Sequence, residues 1–359
     1  MKPVTVEALA LFRVAHISDL HFASENSRKG YLSRPGLRKK IEGFFEALVE
    51  GNSPLKPMSF NPAAAVRLTE ELEELHSREK IHCVLATGDL ATTGAPADIA
   101  VARRFFEGRV LVNSDQNRVE KVPSLVDSKC PIFCIPGNHD RYEGLRCRPK
   151  SKAFEEKVAF GNFWDKPYCP KGKGNAHSRV RINLLKAPGH AVEESLLLYR
   201  IDLSLIGQAQ PGFPHYLGHG VVSSEILKQI DTMTKSAKKK WGVQTPMIWA
   251  VHFSPGSCCP SLALQGAEQL LKKAADLHVQ YIFAGHTHQA KEETVTVKNS
   301  KGVDVAVKIY TSGTTTGYED ELPLQYAIHE LWVGNGKIHC VKTSEFVFDD
   351  HQQEFLPNT

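Results

Sequence analysis

Two histidines separated by one residue, His286 and His288 in "AGHTHQ", follow directly on the apolar run "VQYIF". An extended strand alternates its faces, so residues two apart leave the sheet on the same side. Two imidazoles on one side of a strand end suit a metal ion. Asp19 and His21 in "SDLHF" repeat the spacing behind "LFRVAHIS". Asp89 follows Gly88 at the end of a second apolar run, Asn138 follows Gly137 at the end of a third, and His252 sits at the end of "MIWAVHF". Carboxylate, imidazole and carboxamide are hard-to-borderline donors that suit Mn, Fe, Zn, Co or Ni rather than a thiolate-bound metal. One ion would leave some of these groups unemployed. Two ions about 3.5 to 4 Å apart, bridged by a carboxylate, would use them all and form a clamp for phosphoryl displacement. Taken singly, a strand-end Asp or Asn reads as a turn former and a lone His as a core residue. The ordered set is what carries the metal reading.

The elements that must position these groups are legible in outline. Short apolar runs alternate with amphipathic helical patterns, which points to an α/β layered fold. The strand-like runs are "LFRVAHIS", "IHCVLAT", "PIFCIP", "MIWAVHF" and "VQYIFAG", and each ends in a polar cluster. In such sheets ligands gather at the carboxyl ends of strands, so the five clusters should converge. Helices are expected over Ala63 to Glu79 and from Ser223 onward, with Ser223 or Ser224 as the cap. Two segments leave the strand ends as excursions, about 24–61 and about 143–219. Each could roof the site, and the second carries two β-like runs that could pair as a hairpin or extend a sheet. His215 and His219 border its end. After Lys308 the chain reads as β segments with "GNG" as a tight turn, a composition that suits a second sheet packed on the first. The whole chain, 1–359, reads as one domain.

Composition excludes several classes. With 44 basic and 40 acidic side chains, the net charge of +4 gives no polyelectrolyte signature of obligate nucleic-acid binding. The local exception, "KSAKKK" at Lys235 to Lys240, reads as a solvated helix C-terminus. No secretion signal is read at the N-terminus, and no apolar run reaches the roughly 18 residues of a membrane span. Eight cysteines occur without a C-x-x-C pair, as expected for reduced thiols of a cytoplasmic protein. Cys83 and Cys134 read as core, and the vicinal Cys258 and Cys259 are the pair to watch for reactivity. His16, His82, His278, His329 and His339 are assigned to structure or surface.

The ordered set "DLH" (Asp19 to His21), "GDL" (Gly88 to Leu90), "GNHD" (Gly137 to Asp140), His252 and "GHTH" (Gly285 to His288) resembles the five-block signature of calcineurin-like metallophosphoesterases. The resemblance implies a four-layer α/β/β/α sandwich of two mixed sheets flanked by helices. It implies that Asp19, His21 and His288 hold a first metal, that Asn138, His252 and His286 hold a second, and that Asp89 bridges them. The ions would be Mn, Fe or Zn, with a bridging water or hydroxide as nucleophile. His139 would reach the substrate and protonate the leaving alkoxide or stabilise its charge, with Asp140 orienting its ring and Asn138 also touching the phosphate.

Departures from the family's branches narrow the substrate. Protein phosphatases of this resemblance carry "GDxxDRG" and "GNHE", whereas this chain has "GDLATTG" and "GNHD", so the phosphate-gripping arginine is missing. Purple acid phosphatases place a tyrosine where Thr92 stands, and bifunctional nucleotidases carry a large extra C-terminal domain. The motifs are most similar to bacterial-type phosphodiesterases. The expectation is a phosphodiesterase acting on a small diester, with a nucleotide or cyclic nucleotide among the candidates. A phosphomonoesterase, a nuclease using the Lys235 to Lys240 cluster as a backbone track, and a non-catalytic scaffold are the rivals. No membrane partner is expected.

Overall fold

The computed structural model describes residues 9–24, 59–113, 118–141, 180–186, 194–204, 220–256, 262–318 and 322–358. Most of both excursions, with Cys147, Cys169, His215, His219, Cys258 and Cys259, lies outside the described residues.

The first sheet has six strands: β1 (Ala10–Ile17), β3 (Cys83–Ala86), β6 (Ile132–Cys134), β14 (Gln325–Gly334), β15 (Lys337–Asp349) and β16 (Glu354–Pro357), in the order β16-β15-β14-β1-β3-β6. The second contains β7 (Val180–Lys186), β8 (Ser195–Ile201), β9 (Met247–Phe253), β10 (Tyr281–Gly285), β11 (Lys291–Lys298) and β12 (Asp304–Thr311), in the order β11-β12-β10-β9-β8-β7. Both sheets are mixed: β1, β3 and β6 run parallel, as do β8, β9, β10 and β12, with antiparallel neighbours outside them. Two small ribbons complete the set, β2 (Ser59–Phe60) on β13 (Gly317–Tyr318) and β4 (Arg109–Asn113) on β5 (Arg118–Lys121).

Strand alternation divides the apolar side chains between layers. On β1, Ala10, Phe12 and Val14 face a core that also takes Leu85, Phe133, Ile248, Ala250 and Phe283, so it lies between the sheets. Ala15 and Ile17 face the other way, against α1 (Pro62–Ser77) and α2 (Pro96–Phe106). On β9, Trp249, Val251 and Phe253 turn outward against α3 (Ser224–Trp241) and α4 (Ala267–Asp276). The result is the expected four layers. Helix starts follow their caps: the Asn61 side chain accepts from the N–H of Ala63 and Ala64, and Ser223 Oγ accepts from Ile226 N–H at 3.2 Å.

The second excursion's β-like runs do both things foreseen for them. They pair antiparallel as β7 and β8, and together they form one edge of the second sheet. The C-terminal expectation needs correction. The segments after Lys308 do not make a second sheet of their own; β12 joins the second sheet, while β14, β15 and β16 extend the first through the β1–β14 pairing. Composition marks β propensity but not the partner, because pairing across more than 300 residues is a tertiary choice. The "GNG" turn is present: Asn335 and Gly336, at φ 51 and 69, link β14 to β15 with the paired positive φ of a two-residue hairpin loop. Among the described residues no helix is long and apolar enough to cross a membrane.

Candidate metal centre

All the predicted ligands come from the carboxyl ends of parallel strands. Asp19 and His21 follow β1, Asp89 follows β3, Asn138 follows β6, His252 lies on β9, and His286 and His288 follow β10. The two sheets thus meet over one polar cluster, in which Asp19, His21, Asp89, Asn138, His139, His252 and His286 are buried.

The donors fall into two sets sharing a middle. Asp19, His21 and His288 form one group of converging ligand atoms, Asp89, His252 and His286 another, and His21, Asp89 and His139 lie between. His288 Nε2 stands 3.3 Å from Asp19 Oδ1 and 3.3 Å from His21 Nε2. His252 Nε2 stands 3.2 Å from Asp89 Oδ2 and 3.1 Å from Asn138 Oδ1. The tautomer of His252 is set by its other nitrogen, because Nδ1–H donates to the Thr87 carbonyl at 2.7 Å. In the neutral ring the Nε2 lone pair then faces two oxygens that also present lone pairs. An array of acceptors aimed at one another fits a cation between them. Buried polar atoms without a hydrogen-bond partner, namely Asp19 Oδ1, His21 Nδ1 and His286 Nε2, point the same way. The donor set therefore fits a two-ion centre, with Asp89 placed to serve both sides.

The electrostatics agree. Burial holds the imidazoles of His21 and His286 down to about 3, so both are neutral and free to ligate. Burial pulls His252 down as well, but the Asp89 carboxylate beside it more than offsets this and its pKa rises. Asp19 and Asp89 are driven the other way. Burial alone would raise them, yet His288 beside Asp19 and His252 with His139 beside Asp89 keep both below the ordinary carboxylate range.

The i, i+2 argument reaches residues that the structure does bring together, but for an incomplete reason. β1 ends at Ile17 and β10 at Gly285, and Asp19, His21, His286 and His288 have φ of 53, 52, 75 and 57, as Asp89 has 50. Left-handed backbone, not the pleat, aims these side chains. His286 and His288 consequently go to different donor sets instead of sharing one. Such conformations are unfavourable for residues with a Cβ and gather where surrounding structure enforces them. Close-packed glycines are part of that enforcement. A Cβ on Gly137 would lie 2.0 Å from Asp89 Oδ1, and Gly88, at φ 110, would place one 2.5 Å from His252 Nδ1.

His139 projects beside His21, with ring centroids 4.9 Å apart, and its backbone N–H donates to Asp89 Oδ1 at 2.8 Å. Its Nδ1–H meets the Thr92 carbonyl at 2.9 Å, which leaves Nε2 as the nitrogen available to a substrate. The orienting role expected of Asp140 is therefore corrected: Thr92 orients the ring. Asp140 accepts three backbone N–H groups, those of Leu90 and Gly137 on Oδ2 at 3.2 and 2.9 Å and that of Ala91 on Oδ1 at 2.9 Å. It ties the loop after β3 to the loop after β6. Burial and then the neighbouring Asp89 push this carboxyl up to about 7 against the pull of those bonds.

Two groups were given no role from the sequence. Arg141, 1% exposed, pairs with Asp202 at 2.6 Å and donates Nε–H to Ser204 Oγ at 3.2 Å, joining the "GNHDR" loop to the end of β8. The other is the run Thr314 to Gly317, which packs on the Asp19–His21 loop and had been read only as part of a β segment. Neither could be found by motif, since both act on backbone and neighbouring side chains. The Lys238 to Lys240 cluster ends α3 and precedes the start of β9, whereas His252 sits near the far end of that strand, about 17 Å from its start at strand rise.

Solved structures to which the chain is similar include calcineurin-like phosphoesterase YfkN from Bacillus subtilis (11% identity, covering 94% of this chain and 91% of that one, TM-score 0.47). NAD nucleotidase (NadN) of Haemophilus influenzae (12% identity, TM-score 0.46) matches 98% of this chain, which spans 54% of its length. Sulfate thiohydrolase SoxB of Thermus thermophilus (11% identity, TM-score 0.44) matches 96% of this chain and 56% of its own. No curated protein matches the sequence. The family profile of calcineurin-like phosphoesterases matches residues 12–290, a stretch that holds every donor described above. The chain belongs to the calcineurin-like phosphoesterase family, which makes it a metal-dependent phosphoester hydrolase with a dinuclear centre.

Proposed function

We propose that the protein is a phosphodiesterase acting on a small diester, of the bacterial type, with a nucleotide or cyclic nucleotide among the candidate substrates. The observation that carries the hydrolase part is the two donor sets linked through the group His21, Asp89 and His139. Asp19, His21 and His288 would hold one ion, Asn138, His252 and His286 the other, and Asp89 both; Mn, Fe or Zn suits the donors. Bound there, two ions would neutralise phosphoryl oxygens and bring the pKa of a water near 7. The protein's own residues do the remaining work. Thr92 fixes His139 so that Nε2–H can be given to the departing alkoxide. Asn138 would also touch the phosphate.

The preference for a diester rests on charge. A diester carries one negative charge where a monoester carries nearly two, so it needs no arginine cage. Arg141, the arginine next to the site in sequence, is already engaged by Asp202 and buried, which supports a substrate of lower charge. The lysines at the end of α3 lie at the opposite end of β9, which disfavours a nucleic-acid track leading from them into the site. A cytoplasmic, reducing setting belongs to this reading, as expected for a chain with eight cysteines and no C-x-x-C pair. We also take the chain as one domain.

The test is hydrolysis of bis(p-nitrophenyl) phosphate against p-nitrophenyl phosphate with added Mn²⁺, with and without chelator. The diester should be preferred by about tenfold or more in kcat/KM, and chelator should abolish turnover. Preference for the monoester would move the assignment to a phosphatase.

A further inference from the structure

The stretch "TSGTTTG" after β12 has no charge and no metal-binding side chain, yet Thr311, Ser312, Thr314, Thr315 and Thr316 are each 2% exposed or less. Buried hydroxyls are tolerated when they are hydrogen-bonded, so their partners show what they hold. Ser18 N–H donates to Thr315 Oγ1 and Thr315 N–H to the Ser18 carbonyl, both at 3.0 Å. The Asp19 carbonyl accepts from Thr314 Oγ1 at 2.9 Å and from Gly317 N–H at 3.2 Å. The Leu20 carbonyl accepts from Thr316 Oγ1 at 2.8 Å. On the opposite side Thr314 N–H donates to the His288 carbonyl at 3.2 Å. One short segment thus grips three successive peptide units of the loop after β1 and also the loop after β10, which belongs to the other sheet.

The residues gripped are those of the first donor set. Asp19, His21 and His288 all have positive φ, a conformation that persists only where the surroundings over-determine it. Gly317 closes the grip, since a Cβ there would stand 2.6 Å from His21 Cδ2 and 2.7 Å from the Asp19 carbonyl oxygen. The second donor set is held by other means, the Asp140 carboxylate on its loops and the Thr87 carbonyl on His252. We infer that Thr314, Thr316 and Gly317 form a positioning brace for the first metal ion, setting the affinity of Asp19, His21 and His288 for it without touching it. The inference deepens the two-ion reading and rests on it. The outer partners of metal ligands typically account for about 10- to 100-fold in metal affinity, which sets the scale.

The experiment is Mn²⁺ titration of the full chain by calorimetry, followed by electron paramagnetic resonance, on the wild type, Thr314→Val/Thr316→Val, Thr314→Ser/Thr316→Ser and the distant control Thr69→Val. Thr69 Oγ1 bonds the Ala65 carbonyl inside α1 and so removes one buried hydroxyl bond away from the site. The wild type should bind two spin-coupled ions. The valine pair should bind one of them roughly 10- to 100-fold more weakly and show an uncoupled six-line spectrum for the ion that remains. Adding His252→Ala should remove that remaining ion. The serine pair and Thr69→Val should match the wild type. Two ions held equally well by the valine pair, or two ions weakened equally, would overturn the brace while leaving the two-ion reading intact. A wild type that binds no ion would instead overturn both. Should the valine pair fail to fold by circular dichroism, Thr316→Val alone is read against the same outcomes.

Discussion

Gly137→Ala is the smallest change that tests the geometry of the bridging carboxylate. The added methyl would lie 2.0 Å from Asp89 Oδ1, 2.5 Å from Asp89 N and 2.6 Å from Asp89 Cγ. Ordinary van der Waals contact begins near 3.4 Å, so the carboxylate must retreat by more than about 1 Å. Ligand distances in a working metal site tolerate only about 0.2 Å. The same movement breaks the bond from His139 N–H to Asp89 Oδ1, 2.8 Å long as the protein stands. Overpacking costs about 1 to 3 kcal/mol and a charge-assisted hydrogen bond about 1.5 to 3 kcal/mol, so a stability loss near 3 to 5 kcal/mol is expected. Because Asp89 groups with His252 and His286 on one side and with His21 on the other, both ions should be lost together. Urea denaturation gives the first quantity and elemental analysis after gel filtration the second. Gly302→Ala calibrates the measurement: its φ of 77 is strained for alanine but its Cβ would meet nothing within 4 Å, so only about 1 kcal/mol should go. A Gly137→Ala protein that keeps two ions and the stability of Gly302→Ala would refute the placement of Asp89 between them.

Asp89→Ala should abolish binding of the ion pair, whereas His139→Ala should retain metal and lose turnover by about 10² to 10⁴; equal metal loss in both, by elemental analysis, would contradict the division of roles. Arg141→Met leaves Asp202 buried without its cation and should lower stability by about 3 to 5 kcal/mol in urea, with Arg141→Met/Asp202→Leu recovering most of it. Burial holds His16 down to about 3, so between pH 6.5 and that value the unfolded chain carries a proton that the folded chain refuses. Stability therefore falls as pH falls, by up to about 1.4 kcal/mol per pH unit from this group, and His16→Gln should reduce the slope between pH 6 and 4 by about that amount. An unchanged slope in chelator-treated protein would show that His16 takes up protons without unfolding.

Much of this molecule was legible before its structure. The five parallel-strand runs, the cap at Ser223 and the hairpin at Asn335 and Gly336 are local features, fixed by apolar patterning and backbone preferences of nearby residues. The core histidines are a partial success. His16 and His329 were assigned to structure or surface, and they lie fully buried, 3.3 Å apart. That His16 bonds Thr87, whose carbonyl fixes His252, was visible only in three dimensions.

The sequence alone pointed to the donors that the fold brings together, because their types and their positions at strand ends are properties of the chain read in order. Tertiary structure decided how they are aimed. The left-handed turns at Asp19, His21, Asp89, His286 and His288 cannot be inferred from strand alternation, since they exist only where packing enforces an unfavourable φ. It decided that Asp140 clamps backbone while Thr92 orients His139, a matter of which carbonyl lies within reach. It also decided that a segment nearly 300 residues away supports the first donor set. Hydrogen bonds between distant backbone groups leave no periodic mark in a sequence, because any residue supplies the carbonyl and only the fold brings the hydroxyl to it.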